Sequence, residues 1–315
     1  MSQSRTDAAG VPGDGAAARI SIVVPTRNRA RKLSHCLQHV AAIRSTERWE
    51  LIVVDNCSTD ETPLVLDDLG RQSRLRLRVV TEPVPGGART RNTGARVAGG
   101  EILIFIDDDC YVRPDIVDRY CEIFRDPAIG FAGGRILLHD RSDYPLTINE
   151  SELEMRFPAE RPVPCGIVQS GNMAVRRQAL LDAGGFDERM GPATRFPAED
   201  WDVQTRISIR GWAGGYFPGP TVSHHHGRKG AEARRRIRAY NVGSGAVYLK
   251  LIADRATRRT YLPHILRRML GDMKYHQFKV ATQLYGAMLF FRQNRRRLLA
   301  LQDDLRNSGA HLGSA

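Results

Sequence analysis

The stretch Ile102–Asp109, ILIFIDDD, decides the fold. An apolar run of this length, rich in isoleucine, reads as a buried strand, and it runs straight into three carboxylates. Three further runs of strand length precede it, at Ile20–Val24, Leu51–Val54 and Leu75–Val80. Between them lie stretches of helical length, about Arg29 to Ile43, Glu61 to Arg71 and Gly87 to Val97. The order β-α-β-α-β-α-β predicts an α/β fold with a parallel sheet and helices on both faces. Open sheets of this kind bind ligands beyond the carboxyl ends of their strands, so those ends are where function is to be sought.

Asp107, Asp108 and Asp109 repel one another, and at the end of an apolar strand they are partly desolvated. Either their pKa values rise or a cation neutralises them. Hard oxygen ligands favour Mg²⁺ or Mn²⁺, which typically combine one or two carboxylates with substrate phosphates; a solvated acidic loop is the alternative. Alternation along an extended chain sends Asp107 and Asp109 to the same side. That assigns Asp109 to the metal and Asp107 to a ribose or the metal's periphery. The first strand ends in Pro25-Thr26-Arg27-Asn28-Arg29, without a glycine. Neither G-x-G-x-x-G nor G-x-x-x-x-G-K-[ST] occurs in the chain, which excludes the common dinucleotide and P-loop sites. The second strand ends in Asp55-Asn56-Cys57-Ser58-Thr59-Asp60. Asp55 can accept from a base or ribose, or the segment is simply a helix cap, with Ser58 or Thr59 followed by Asp60 and Glu61. Gly86-Gly87 after Pro85 either aims backbone N–H groups at an anion or makes a plain turn.

Downstream the pattern loosens, with Gly and Pro punctuation through Phe131–Arg161, a helix at Arg176–Ala183 and another from near Glu199. A short strand around Gly215–Val222 ends in His224-His225-His226. From Ala231 helical periodicity returns, and Leu262, Ile265, Leu266, Met269, Leu270 and Met273 form one apolar face. The net charge is +12, yet residues 231–300 alone hold 16 Lys and Arg against 3 Asp and Glu, a balance of +13. The basic character therefore belongs to the carboxyl-terminal region, which is set apart from the chemistry of the rest. Its apolar stripe packs on the preceding domain with the arginines in water, the commoner outcome, or it anchors on an anionic membrane surface. No nucleic-acid module accompanies the charge, so no nucleic acid is expected. Residues 1–18 read as a disordered leader without a signal-peptide core. The five cysteines show no C-x-x-C spacing and read as reduced thiols. No window approaches the roughly 18 apolar residues of a membrane span. The expected location is the cytoplasm, or the inner face of the cell membrane as a peripheral protein.

IVVPTRNR, VVDNCSTD, GGARTRNTGA and IFIDDD, in that order, resemble the successive motifs of family 2 glycosyltransferases with the GT-A fold. SGNMAVRRQALLDAGGFDE, AEDWDVQTRISIRGW and PGPTVSHHH resemble that family's acceptor-side segments, so the likeness spans about residues 20–226. It implies a GT-A, mostly parallel sheet in a catalytic domain over residues 19–230. Residues 19–110 form its nucleotide-binding half and 111–230 its acceptor-binding half, with a basic helical region at 231–315. It further implies inverting transfer of a sugar from a nucleotide-diphosphate donor, by family a UDP-sugar, to a hydroxyl of a glycan or lipid-linked acceptor. Carried onto this sequence, the donor pocket comprises Pro25, Thr26, Asn28, Arg29, Asp55, Arg91, Asn92, Asp107 and Asp108. Asp109 and His224 hold Mn²⁺ or Mg²⁺, with His226 as substitute and His225 pointing elsewhere. Asp200 is the base, Glu199 orients the acceptor, and Trp201 packs or lines its channel. The plainer reading of Glu199 and Asp200 is charge complementing a helix amino end after Pro197. Asn56 departs from the pattern, since many relatives carry a second acid there. Two rival functions are a sugar-phosphate nucleotidyltransferase, which requires a glycine-rich loop that PTRNR lacks, and a non-catalytic polyanion-binding scaffold, against which intact Asp109, Asp200 and His224 argue.

Overall fold

The computed structural model describes residues 18–72 and 76–310. Most of the expected leader, the expected strand start at Leu75 and the last five residues of the basic region lie outside the described residues.

The amino-terminal half alternates as the apolar runs require: β1 (Ile20–Thr26), α1 (Ala30–Ala41), β2 (Trp49–Asp55), α2 (Thr62–Gln72), β3 (Leu77–Thr81), α3 (Gly87–Val97) and β4 (Ile102–Phe105). These strands lie parallel in the order β3-β2-β1-β4, with Ile20 opposite both Trp49 and Ile102. β1, β2 and β4 are buried along almost their whole length, which is why they read as continuous apolar runs rather than alternating ones. α1 buries Leu33, Cys36, Leu37 and Val40, a single stripe against the sheet.

The second half is not a continuation of that pattern. Its elements are β5 (Cys110–Val112), α4 (Ile116–Ile123), β6 (Ile129–Leu138), β7 (Met155–Phe157), β8 (Met173–Arg176), α5 (Arg177–Asp182), α6 (Glu199–Ile209) and β9 (Ala213–His224). β8 joins β4 antiparallel and β6 joins β8 antiparallel, after which β9 runs parallel to β6. β5 and β7 both pair antiparallel with β9. The nine-stranded sheet is thus parallel on its amino-terminal side and mixed beyond β4.

Three helices follow: α7 (Gly230–Ala253), α8 (Arg255–Tyr275) and α9 (Gln277–Ala310). They share a core with the sheet, because Tyr248, Leu251, Tyr261, Ile265 and Phe290 are buried in one cluster with Phe105, Phe131 and Trp201. The other face of the sheet carries a second core with α1 and α4, including Leu33, Ile104 and Tyr120. Two glycines set how closely α7 can lie. A Cβ on Gly243 would fall 1.9 Å from the Pro197 carbonyl oxygen, and one on Gly245 would fall 1.8 Å from that of Gln283 in α9. The apolar stripe of α8 corrects the packing expectation. Ile265 is buried and Met269 packs at the core's edge, but Leu262, Leu266, Leu270 and Met273 are exposed. No helix among the described residues is long and apolar enough to cross a membrane.

Candidate active site

A cleft of about 570 Å³ lies over the carboxyl ends of β1 and β4 and is lined by every one of Asp107, Asp108, Asp109, Glu199, Asp200 and His224. That volume is in the range of sites for small-molecule ligands. β4 ends at Phe105, and residues 107–109 form a turn closed by the Cys110 N–H on the Asp107 carbonyl at 2.9 Å. The turn overturns the alternation argument, since all three carboxylates face the cleft with different partners. Asp107 meets Arg91 at 2.7 Å. Asp108 accepts from the Thr26 hydroxyl at 2.7 Å. Asp109 pairs with Arg29 at 2.6 Å through Oδ2 and with His224 Nε2 at 3.3 Å through Oδ1.

His224 reaches Asp109 because it is the last residue of β9 and lies opposite Cys110 in the β5–β9 ladder. Its Nδ1 lies 3.2 Å from the hydroxyl of Thr147. Thr147 is a β-branched residue at φ 57°, a conformation that costs on the order of 1–3 kcal/mol and tends to persist at functional sites. Burial and the neighbouring charge of Asp109 push Asp108 up to about 7. Burial also acts against ionised Asp109, but the hydrogen bond and charge of His224, together with Arg29 and Lys32, hold it well below the usual carboxylate range.

Asp109, Cys110 and His224 bring one ligand atom each within 4.8 Å of one another. Burial pushes the Cys110 thiol well up, and its soft sulfur suits a hard divalent cation less well than the other two groups. The remaining carboxylate and imidazole fit a divalent cation, and the nitrogen donor suits Mn²⁺ better than Mg²⁺. His226 does not compete for this role. Its Nε2 lies 2.9 Å from the Tyr144 carbonyl and its Nδ1 accepts from the Arg228 N–H at 2.9 Å. His225 turns to the Tyr111 hydroxyl at 3.2 Å.

Glu199 and Asp200 open α6 on the opposite wall. Arg91, buried on α3, joins the two walls. Its guanidinium reaches Asp107 at 2.7 Å, Glu199 at 3.1 Å and the Ser170 hydroxyl at 2.9 Å. Asp200 accepts from the backbone N–H of Ser170 at 3.3 Å and of Trp201 at 2.7 Å. Burial pushes Glu199 up to about 7 against the pull of Arg91, and burial likewise raises Asp200. Trp201 touches the cleft, but its indole N–H donates to the Val163 carbonyl at 2.9 Å and its ring packs edge-on against Tyr248.

Pro25, Thr26, Arg29 and Arg91 line the cleft; Asn28, Asp55 and Asn92 do not. Asn28 Oδ1 accepts from the Thr59 N–H at 2.7 Å, tying the first strand-end loop to the second. Asp55 accepts from the Ser58 N–H at 3.2 Å, and the cap at the start of α2 falls to Asp60, which accepts from the Thr62 N–H at 3.0 Å. Asn92 holds the loop after α5 through the Phe186 carbonyl and N–H at 2.9 and 2.8 Å. The N–H groups of Gly86 and Gly87, at the start of α3, are taken up by Asn56 Oδ1 and the Pro192 carbonyl, which leaves neither for an anion. Asn56 clamps that loop, donating to the carbonyls of Glu82 and Val84 at 2.9 and 2.8 Å, which no carboxylate can do.

Sequence reasoning missed the wall made by the basic region. Arg228, just before α7, and Arg236, Tyr240 and Ser244 on α7 also line the cleft. The Arg236 guanidinium lies 5.8 Å over the Tyr240 ring, and its buried Nε has no hydrogen-bond partner in the protein. The charge run hid these residues; the available signal was Tyr240 and Ser244 interrupting it four residues apart, on one helix face.

An acidic turn and an imidazole at the end of a parallel sheet, faced across one cleft by a buried acid pair, define a transferase site of the GT-A architecture. The family model described as Glycosyl transferase family 2 matches residues 21–183, more than half of the chain, and the chain belongs to that family. Among curated relatives, it is 30% identical over 125 residues to glycosyltransferase GlyG of Streptococcus pneumoniae, covering 39% of this chain and 41% of that protein. It is 27% identical over 215 residues to β-monoglucosyldiacylglycerol synthase of Synechocystis, covering 65% of this chain and 43% of that protein. The matched stretch is thus less than half of each of these relatives. The fold resembles the mannosyltransferase PcManGT of Pyrobaculum calidifontis, solved with GDP-Man and Mn²⁺, at TM-score 0.64 and 20% identity over 96% of this chain and 83% of that one. It also resembles Staphylococcus aureus TarS with UDP-GlcNAc, at TM-score 0.62 and 18% identity over 90% and 83%.

Proposed function

We propose that this protein transfers a sugar, with inversion at the anomeric carbon, from a nucleotide-diphosphate donor to a hydroxyl of a glycan or lipid-linked acceptor. A UDP-sugar is the expected donor. The observation that carries the reading is the Arg91 bridge, which sets the acidic turn and the Glu199–Asp200 pair on facing walls of one cleft.

Asp200 takes the proton from the acceptor hydroxyl as that oxygen attacks the anomeric carbon and the bond to the nucleotide diphosphate breaks. A single displacement with base and leaving group on opposite sides inverts the centre. Burial raises Asp200 and so brings its basicity closer to the task. Arg91 holds Glu199 beside it for the acceptor, and Arg29 supplies positive charge at the diphosphate side. Asp109 and His224 are the residues that would hold Mn²⁺ or Mg²⁺, which would act as a Lewis acid on the departing diphosphate. Arg236 offers a further cation on the acceptor side. All five cysteines are free thiols, which supports a cytoplasmic setting.

The test is Mn²⁺-dependent release of nucleoside diphosphate from a panel of nucleotide sugars, with the anomeric configuration of product read by NMR. Asp200→Asn is expected to lower kcat by about 10²–10⁴ with donor affinity retained. Donor binding without turnover toward any acceptor would instead mark a scaffold on a transferase fold.

A further inference from the structure

Ten of the sixteen exposed large apolar side chains among the described residues fall between positions 262 and 291, on α8 and α9. On α8 they are Leu262, Leu266, Leu270 and Met273, spaced so that they share one helix face, and Tyr275 at the helix end. Leu270 is 68% exposed and Phe278, at the start of α9, 63%. On α9, Leu284, Tyr285, Met288 and Phe291 are exposed as well. A monomer in water rarely leaves so much apolar surface uncovered without a partner.

Charge selects the partner. Residues 254–295 hold nine Lys and Arg against two Asp, a balance of +7. Arg255, Arg259, Arg267, Lys274, Arg292 and Arg295 are exposed among the apolar side chains. Arg238 of α7 lies 5.0 Å over the Phe278 ring, and Lys274 lies 5.1 Å over Tyr275, so cations sit directly on exposed rings. A second copy of the chain would set +7 against +7. An anionic lipid surface meets both demands, since its headgroups attract the cations while the acyl boundary receives the leucines and phenylalanines.

We infer that the α8–α9 face is a peripheral docking surface for an anionic bilayer. α7 transmits this placement to the cleft: it lines the cleft with Arg236 and Tyr240, and Gly245 seats it directly on α9. Docking therefore holds the cleft at the lipid surface, where a lipid-linked hydroxyl is presented. The surface stands whether or not the proposed transfer does, because it is read by binding alone.

The experiment is co-sedimentation of the full chain with vesicles of phosphatidylcholine alone or with 30% phosphatidylglycerol. Binding is expected to the anionic vesicles at low salt, at least tenfold above neutral ones, and to fall at 0.5 M NaCl. Leu266→Ser/Leu270→Ser/Phe278→Ser, which alters only exposed positions, is expected to lower partitioning about tenfold while the thermal melt is unchanged. Leu64→Ser, an exposed leucine on α2, leaves partitioning as it was. Absence of binding to anionic vesicles at low salt overturns the inference, as does full binding by the triple variant. A dimer in solution that the triple variant abolishes would assign the face to a second copy instead.

Discussion

The two walls of the cleft are built in different ways. The wall that carries the acidic turn comes from the ends of two neighbouring parallel strands: Thr26 closes β1, Arg29 follows it, and the Asp107–Asp109 turn follows β4, far along the sequence but next to β1 in the sheet. The facing wall gathers Ser170, Glu199, Asp200 and Tyr240 from separate elements after the sheet has turned mixed. His224 belongs by sequence to the second half but serves the first wall, because β9 returns to pair with β5. A wall hung on adjacent strand ends can be read and mutated residue by residue, whereas a wall gathered from separate elements depends on whatever ties it to the other.

The contrast predicts that the walls fail differently. Asp109→Asn removes the carboxylate that faces both His224 and Arg29, so donor affinity in Mn²⁺ is expected to fall to its value in EDTA, along with turnover. Asp200→Asn keeps donor affinity and loses about 10²–10⁴ in rate. Calorimetry with UDP in Mn²⁺ and in EDTA, alongside turnover, reads both; equal loss of donor affinity in the two variants would break the division into walls. The tie comes next in size. Arg91→Met leaves Asp107 and Glu199 facing each other without their buried cation, and loss of one partner from such a pair costs about 3–5 kcal/mol. Urea unfolding is expected to show that cost, with Arg91→Lys losing less. A smaller loss is expected at Asn56→Asp, which replaces a donor to two carbonyls by an acceptor and should cost about 1–3 kcal/mol in the same measurement.

How much was legible follows the same division. The β-α repeat, the acidic turn and the site at the strand ends could be read because buried parallel strands announce themselves as apolar runs. Asn28, Asp55 and Asn92 could not be sorted from true cleft residues, because a polar residue at a strand end serves a ligand or a neighbouring loop alike. Asn28 meets Thr59, 31 residues away, and Asn92 meets Phe186, 94 away. The alternation rule failed at Asp107–Asp109 because the strand stops two residues before the first of them. The stripe on α8 was visible as a face, but periodicity says which residues share a side and nothing about what covers it. Setting the basic region apart from the chemistry hid Arg236 and Tyr240, since charge counting averages over a helix that has one face in the cleft.

The subtlest test of the comparison lies in the acid pair. A general base works only when unprotonated, so at saturating donor and Mn²⁺ kcat should fall as pH drops through the Asp200 pKa. Burial raises that pKa, which places the acid limb above the ordinary carboxylate range. Glu199 is itself pushed up to about 7, by its own burial first and also by the negative charge of Asp200 beside it. In that coupling Asp200 ionises first, with Glu199 still protonated beside it. Glu199→Gln keeps a neutral polar group near Arg91, so the limb set by Asp200 should stay in place. Saturation with donor and Mn²⁺ keeps the acidic turn loaded, which confines the comparison to the facing wall. A limb that moves to lower pH in the variant would show that a charged Glu199 opposes ionisation of Asp200, and loss of the limb would mean that Glu199, rather than Asp200, sets the basicity of this wall.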